Sequence, residues 1–172
     1  MEILKLVKIF VLPYNSPMLF EEQLARLLIQ KKKTLALAES CTGGLLAARL
    51  TDIPGSSVFL KAALVTYSNT TKTKLLKVPA TLIKRHGAVS TAVAEKMAQN
   101  VRKLLKTDFG VAITGIAGPT GGSRAKPVGL TYIAVATHNE LLSVKCIFKG
   151  SRKKIRGQAA DTAMYLLLEF LA

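Results

Sequence analysis

The chain contains no tryptophan, two cysteines, two histidines and ten acidic residues out of 172, and each shortage removes a class of protein. Cys41 and Cys146 stand far apart, which suits neither a disulfide scaffold nor a zinc site. The few aromatic residues do not interleave with the basic runs, so a platform for stacking nucleic-acid bases is poorly supported. The acidic residues do not pair at metal-ligand spacing, and no metal or other cofactor is expected. A Ser-His-Asp triad would need His86 or His138. The first precedes a glycine at a helix end, the second falls in a hairpin turn, and both read as surface. No apolar run reaches the 18 residues or so that a membrane span requires. The opening stretch Leu6–Leu12 is apolar but interrupted by Lys8 and lacks a small-residue cleavage site. Residues 1–17 therefore read as an extra strand or loose extension rather than a signal peptide, and the cytoplasm is the default location.

What is present describes one domain, from residue 18 to residue 172. Nearly half of the residues are hydrophobic (49%) and the mean hydropathy is +0.31, which suits a chain with a substantial core. The net charge of +15 predicts attraction to phosphates and other anions. Its lysines and arginines are scattered in short runs, however, and read mostly as solvated surface. The charge alone does not choose among phosphates, anionic metabolites, nucleic acid and membrane headgroups.

The most informative stretch is Ala38-Glu39-Ser40-Cys41-Thr42-Gly43-Gly44. A short apolar run, Thr34–Leu37, precedes it as a strand, and Leu45–Thr51 follows as a helix. Small residues at such a turn leave backbone N–H groups near a helix start, a seat for an anion or developing oxyanion. The plainer alternative is that Ser40 or Thr42 caps the helix. Apolar spacing further predicts helices over 18–31, 70–77, 79–85, 90–106 and 151–171, and strands over 59–66, 109–113, 128–137 and 141–148. Strands joined by helices should lie parallel, with the last two forming an antiparallel hairpin. The Ser40 turn, the Tyr67–Lys72 segment, the glycine-rich loop 114–122 and the start of the fourth strand then share one rim, where α/β sheets hold their ligands.

With histidine set aside, lysine is the candidate base. Lys72 lies in the first turn of the helix after the second strand, and Tyr67 could position its amine. To deprotonate a serine the amine must be neutral, which burial favours. On spacing alone a solvated helix charge, like Lys74 and Lys77, explains Lys72 better. The glycine loop matches neither a P-loop nor a dinucleotide fingerprint, though glycines would let N–H groups approach a ribose or phosphate.

Taken in order, Ala-Glu-Ser-Cys-Thr-Gly-Gly at 38–44, Pro-Gly-Ser-Ser at 54–57, Val-Thr-Tyr-Ser-Asn at 65–69 with Lys72, His-Gly-Ala-Val-Ser at 86–90, Gly-Ile-Ala-Gly-Pro at 115–119 and Lys-Pro-Val-Gly at 126–129 resemble the CinA C-terminal domain family, which includes stand-alone nicotinamide-nucleotide amidohydrolases. The resemblance implies a three-layer α/β/α domain with a mixed five-stranded sheet, one strand antiparallel. It implies hydrolysis of the carboxamide of nicotinamide mononucleotide, with the serine on Ser40, the lysine on Lys72 and a supporting tyrosine on Tyr67. Backbone around Cys41, Thr42, Gly43 and Gly44 would hold the oxyanion; Thr114, Gly115 and Gly118 would line the ribose; Arg152 or Arg156 would meet the phosphate. Ala62-Ala63 and Thr120 depart from residues common in the family (glycine and aspartate) and bear on substrate fit. The partner expected for the chain as a whole is a small-molecule nucleotide substrate, with nucleic acid and membrane not expected and a homo-oligomer an open option. The rival reading is a basic nucleotide- or nucleic-acid-binding module without turnover.

Overall fold

A computed structural model describes residues 20–171; the expectations for residues 1–17, and the first two residues of the predicted leading helix, lie outside that span. The sheet is built from strands whose alternate residues differ in size. β1 (Leu35–Glu39) reads Leu-Ala-Leu-Ala, β3 (Phe109–Gly115) carries Val111-Ala112-Ile113, and β4 (Leu130–Ala136) carries Ile133-Ala134-Val135-Ala136. Since successive side chains point to opposite faces, one face of the sheet is bulky and the other is paved with alanine. The bulky face packs with α1 (Phe20–Gln30), α2 (Leu45–Thr51) and α6 (Arg152–Leu171) into one apolar cluster. The alanine face packs with α3 (Asn69–Leu76), α4 (Ala80–His86) and α5 (Thr91–Leu105) into the other. Arg49 ties the first layer together, with Nε 2.6 Å from Glu21 and Nη1 2.7 Å from Asp161.

The strand order is β2-β1-β3-β4-β5, with β2 covering Leu60–Val65 and β5 covering Leu141–Ile147. β1 is parallel to β2 and β3, while β4 is antiparallel to both β3 and β5. The expected three-layer fold with a single antiparallel strand is what the chain adopts, and predicted elements fall within a few residues of the observed ones.

Two glycines are dictated by close approach. A Cβ on Gly110 would stand 2.2 Å from the Ala98 carbonyl oxygen, so only glycine lets α5 lie directly on the start of β3. A Cβ on Gly115 would meet Thr131 Oγ1 at 2.7 Å and the Leu130 oxygen at 2.8 Å, where β3 leaves the sheet beside β4. Gly115 thus serves strand pairing.

Candidate active site

Ser40 follows β1 directly, and its amide donates to the Ile113 carbonyl at 3.0 Å, which keeps the residue aligned with the strand end. Lys72 projects from the first turn of α3, whose start is set by a reciprocal capping box between Ser68 and Thr71. That turn aims the lysine inward, with Leu76 buried one turn later. The ammonium-bearing end of Lys72 is fully buried (the residue is 1% exposed). Its Nζ lies 2.9 Å from Ser40 Oγ and 2.7 Å from the Thr66 carbonyl oxygen. Thr66 is itself fixed, its amide donating to the Glu39 carbonyl at 2.8 Å. The serine and the lysine meet at the carboxyl rim of the parallel strands.

Burial lowers the Lys72 pKa to about 8. The Cys41 thiol next to it is the nearest group that could restore the charge, but burial pushes that thiol up to about 11, so it stays neutral near pH 7. Among the described residues the amine therefore has no anionic partner to hold its proton, and about a tenth of it is neutral at pH 7. Nζ donates to both the Thr66 carbonyl and Ser40 Oγ; a neutral amine would keep the first bond and have a lone pair free for the second.

Glu39 is the residue that sequence reasoning missed. Its carboxylate is buried (1% exposed) and accepts from the amides of Gly44 at 3.0 Å, Leu46 at 3.3 Å and Ala47 at 2.9 Å. It thereby occupies the positive end of α2, which has no side-chain cap from Ser40 or Thr42. The remaining amides there are also spent: Gly43 N–H goes to the Ser40 carbonyl at 3.0 Å and Leu45 N–H to the Thr42 carbonyl at 3.2 Å. The anion seat expected over Cys41–Gly44 is accordingly narrower. Among the described residues, the Cys41 and Thr42 amides are the ones in this turn with no backbone acceptor. The legible signal was a carboxylate placed one residue before a turn of small residues leading into a helix.

The other predicted residues are placed as follows. Tyr67 is 59% exposed and its hydroxyl accepts from Arg152 Nη2 at 2.7 Å; Lys72 is instead positioned by the Thr66 carbonyl. Arg152 also donates through Nη1 to the Gly118 carbonyl at 2.8 Å, joining the glycine loop to the Tyr67 segment. Arg156 donates to the Thr42 carbonyl through Nε and Nη2, which braces the Ser40 turn. Both arginines reach the rim from the first turns of α6. Thr114 is buried and its hydroxyl donates to the Ala88 carbonyl at 2.9 Å, which anchors the 86–90 loop. Lys126 clamps the same loop, donating to His86 and Val89 carbonyls at 2.7 Å each. Gly118 holds a positive φ of 71°, and a Cβ there would strike Val128. Two buried hydroxyls near the pair, on Thr42 and Thr66, have no partner among the described residues. Among the described residues no group of three His, Cys, Asp or Glu side chains stands together as a metal set, and no helix is long and apolar enough to cross a membrane. His86 and His138 are exposed, as expected.

Fold and site together define a class: an α/β/α domain that buries a lysine amine against a serine hydroxyl at the rim of a mixed sheet. The chain belongs to the CinA C-terminal domain family, whose model matches residues 18–171. It is 50% identical over 153 residues to a CinA-like protein of Syntrophus aciditrophicus, covering 88% of this chain and 36% of that one. It is likewise 50% identical over 142 residues to a CinA-like protein of Endomicrobium trichonymphae, covering 83% and 33%. The chain thus spans about a third of the length of these curated relatives. Among solved structures it is similar to the competence/damage inducible protein CihA of Agrobacterium tumefaciens, with TM-score 0.85, 37% identity, and coverage of 90% and 98%. A CinA superfamily protein of Escherichia coli gives TM-score 0.83 at 32% identity, covering 88% and 90%.

Proposed function

We propose that the domain hydrolyses the carboxamide of nicotinamide mononucleotide to nicotinate mononucleotide and ammonia, with Ser40 as nucleophile and Lys72 as general base. The observation that carries this reading is the buried Lys72 amine, 2.9 Å from Ser40 Oγ and with its pKa lowered to about 8. A neutral amine at that distance is placed to accept a hydroxyl proton. The choice of substrate rests on the family resemblance.

In the first half-reaction Ser40 Oγ bonds to the carboxamide carbon as its proton passes to Lys72 Nζ. The oxyanion faces the Cys41 and Thr42 amides; losing one such donor costs roughly 3 kcal/mol in acyl-transfer sites. The C–N bond then breaks, and Lys72 returns the proton to the leaving nitrogen, which departs as ammonia. In the second half-reaction water attacks the acyl carbon, gives a proton to Lys72, and the Ser40–carbonyl bond breaks as that proton returns to Oγ. Glu39 acts through the turn: by filling the helix start it fixes where the Cys41 and Thr42 amides point. Arg152 and Arg156, on the same rim, are the cations available to the substrate phosphate, with Tyr67 orienting Arg152. The unpartnered Thr42 and Thr66 hydroxyls are available to substrate or water.

The test is ammonia release from a panel of pyridine nucleotides and simple amides. The wild-type domain should act on nicotinamide mononucleotide, and Ser40→Ala and Lys72→Ala should each abolish release while the circular dichroism spectrum is kept. Release from no member of the panel would refute the activity, and full activity in either variant would remove that residue from the mechanism.

A further inference from the structure

The opposite rim of the sheet, where β1 and β3 begin, carries a cavity of about 410 Å³ that the chemistry at Ser40 does not use. The length of β1 separates the two rims by roughly 15–20 Å. Four segments wall the cavity: Lys33 before β1, the end of α5 with Arg102 and Lys106, the entry to β3 at Thr107–Phe109, and the β4–β5 turn around His138. Gly110 is what brings the α5 wall in, because a side chain there would push that helix off β3.

Three cations face this space against one carboxylate. Asp108 is already engaged: it accepts from the Thr34 amide and hydroxyl, both at 2.8 Å, and from Lys33 Nζ at 3.2 Å. Partial burial works against its charge, but those donors outweigh it and hold its pKa below the ordinary carboxylate value. It therefore orients Lys33 without cancelling Arg102 and Lys106. Arg102 spends one N–H on the Thr107 carbonyl at 3.3 Å, leaving the rest of its fork. Among the described residues the Lys106 ammonium has no acceptor.

A basic last turn is also what the α5 dipole favours, so sign alone would not make a site. Two further facts do. Two of the last four carbonyls of this helix are taken by backbone amides, Arg102 O by Thr107 at 3.1 Å and Lys103 O by Lys106 at 3.4 Å, and among the described residues none of the four accepts from the side chains of Arg102, Lys106 or Lys33. Moreover, Lys33 comes from the segment before β1 and not from α5, yet it converges with Arg102 and Lys106 on the same cavity, which compensation of the helix dipole does not require.

We infer that this cavity is a second anion site, separate from the Ser40 rim, for a small molecule bearing a phosphate or diphosphate. Arg102 grips the phosphate oxygens with its fork, and Lys106 and Lys33 supply the further charge. The volume leaves room for a sugar-sized remainder against Thr137 and Asn139.

The experiment is a titration of the whole chain with inorganic pyrophosphate at low salt, followed by the NMR amide shifts of Thr107, Phe109 and Asn139. These residues report the far rim and not the Ser40 rim, so the result stands apart from any assay of amide hydrolysis. Lys106→Gly removes the cation while supplying the residue its backbone prefers, so the fold is kept. Lys77→Gly is the matched control: it has the same φ of 53°, at the end of α3 and outside the cavity. Saturable binding that weakens about tenfold in Lys106→Gly and is unchanged in Lys77→Gly is expected. Non-saturable shifts, unaltered affinity in Lys106→Gly, or an equal loss in Lys77→Gly would each overturn the assignment.

Discussion

Replacing Lys72 by methionine should change how stability depends on pH, by an amount the structure sets. The folded amine titrates near 8 against 10.5 for an unperturbed lysine, a displacement worth about 3 kcal/mol against the charged form. The unfolded chain binds the proton more tightly, so the penalty is present in full below the folded value and fades as pH rises towards the unfolded one. Between pH 7 and pH 10 the native state should gain roughly 2–3 kcal/mol from this group alone. Cys41 acts in the opposite sense higher up. Its thiol is raised to about 11 from 9.0, so its contribution is complete below the unfolded value and is lost as pH climbs through the folded one. The two effects overlap above pH 9, and subtracting the Lys72→Met curve from the wild-type curve gives the lysine together with its coupling to Cys41, which is confined to that upper range. Urea unfolding at pH 7, 8, 9 and 10, extrapolated linearly to water, supplies both curves. The difference should narrow steadily by roughly 2–3 kcal/mol in the wild type's favour. Parallel curves would mean that the amine carries no burial penalty, and the argument for a neutral base near neutral pH would fall with it. Under the proposed hydrolysis, ammonia release should rise tenfold per pH unit below 8 and level off above it, reporting the same group from the kinetic side.

Three other expectations can be checked on purified variants. Glu39→Gln keeps the size of the side chain but replaces the charge at the start of α2, and should lower stability by about 1–3 kcal/mol in chemical denaturation; an unchanged midpoint would show that the three amides need no carboxylate. Tyr67→Phe removes the hydroxyl that holds Arg152 and leaves Lys72 untouched, so it should raise KM for a phosphorylated substrate with little change in the pH profile, whereas a shifted profile would return Tyr67 to the base. Gly110→Ala places a methyl 2.2 Å from the Ala98 oxygen and should destabilise by at least about 2 kcal/mol; a thermal midpoint equal to wild type would show that α5 can shift freely.

The layers of the fold were legible because periodicity is a direct imprint of packing. Leu35-Ala36-Leu37-Ala38 announces a two-faced strand, and the Val93–Met97–Val101 spacing announces the inner face of α5. The meeting of Ser40 and Lys72 was not legible from spacing, since the two stand 32 positions apart with α2 and β2 between them and Lys72 looks no different from Lys74. The family resemblance supplied that pairing. Hydrogen-bond partners were the least legible. From their place on the rim Thr114 and Gly115 read only as ligand contacts, and the loop carbonyl and adjacent strand that also engage them are not visible in spacing. Glu39 was overlooked because a buried carboxylate is costly unless it is paired, and its partners are backbone amides, which a sequence does not display.

The uneven thickness of the two sheet faces has a consequence for how this domain tolerates change. Where leucine, valine and isoleucine meet α1, α2 and α6, bulk can be exchanged between neighbours as long as the total volume is kept. On the alanine side the bulk comes mainly from the helices, so enlarging Ala36, Ala112 or Ala134 should press on α5 where it rests on the sheet. That helix ends in Arg102 and is followed by Lys106, so a methyl group added beneath its middle would be felt as a wider mouth at the far rim while Ser40 stayed in place.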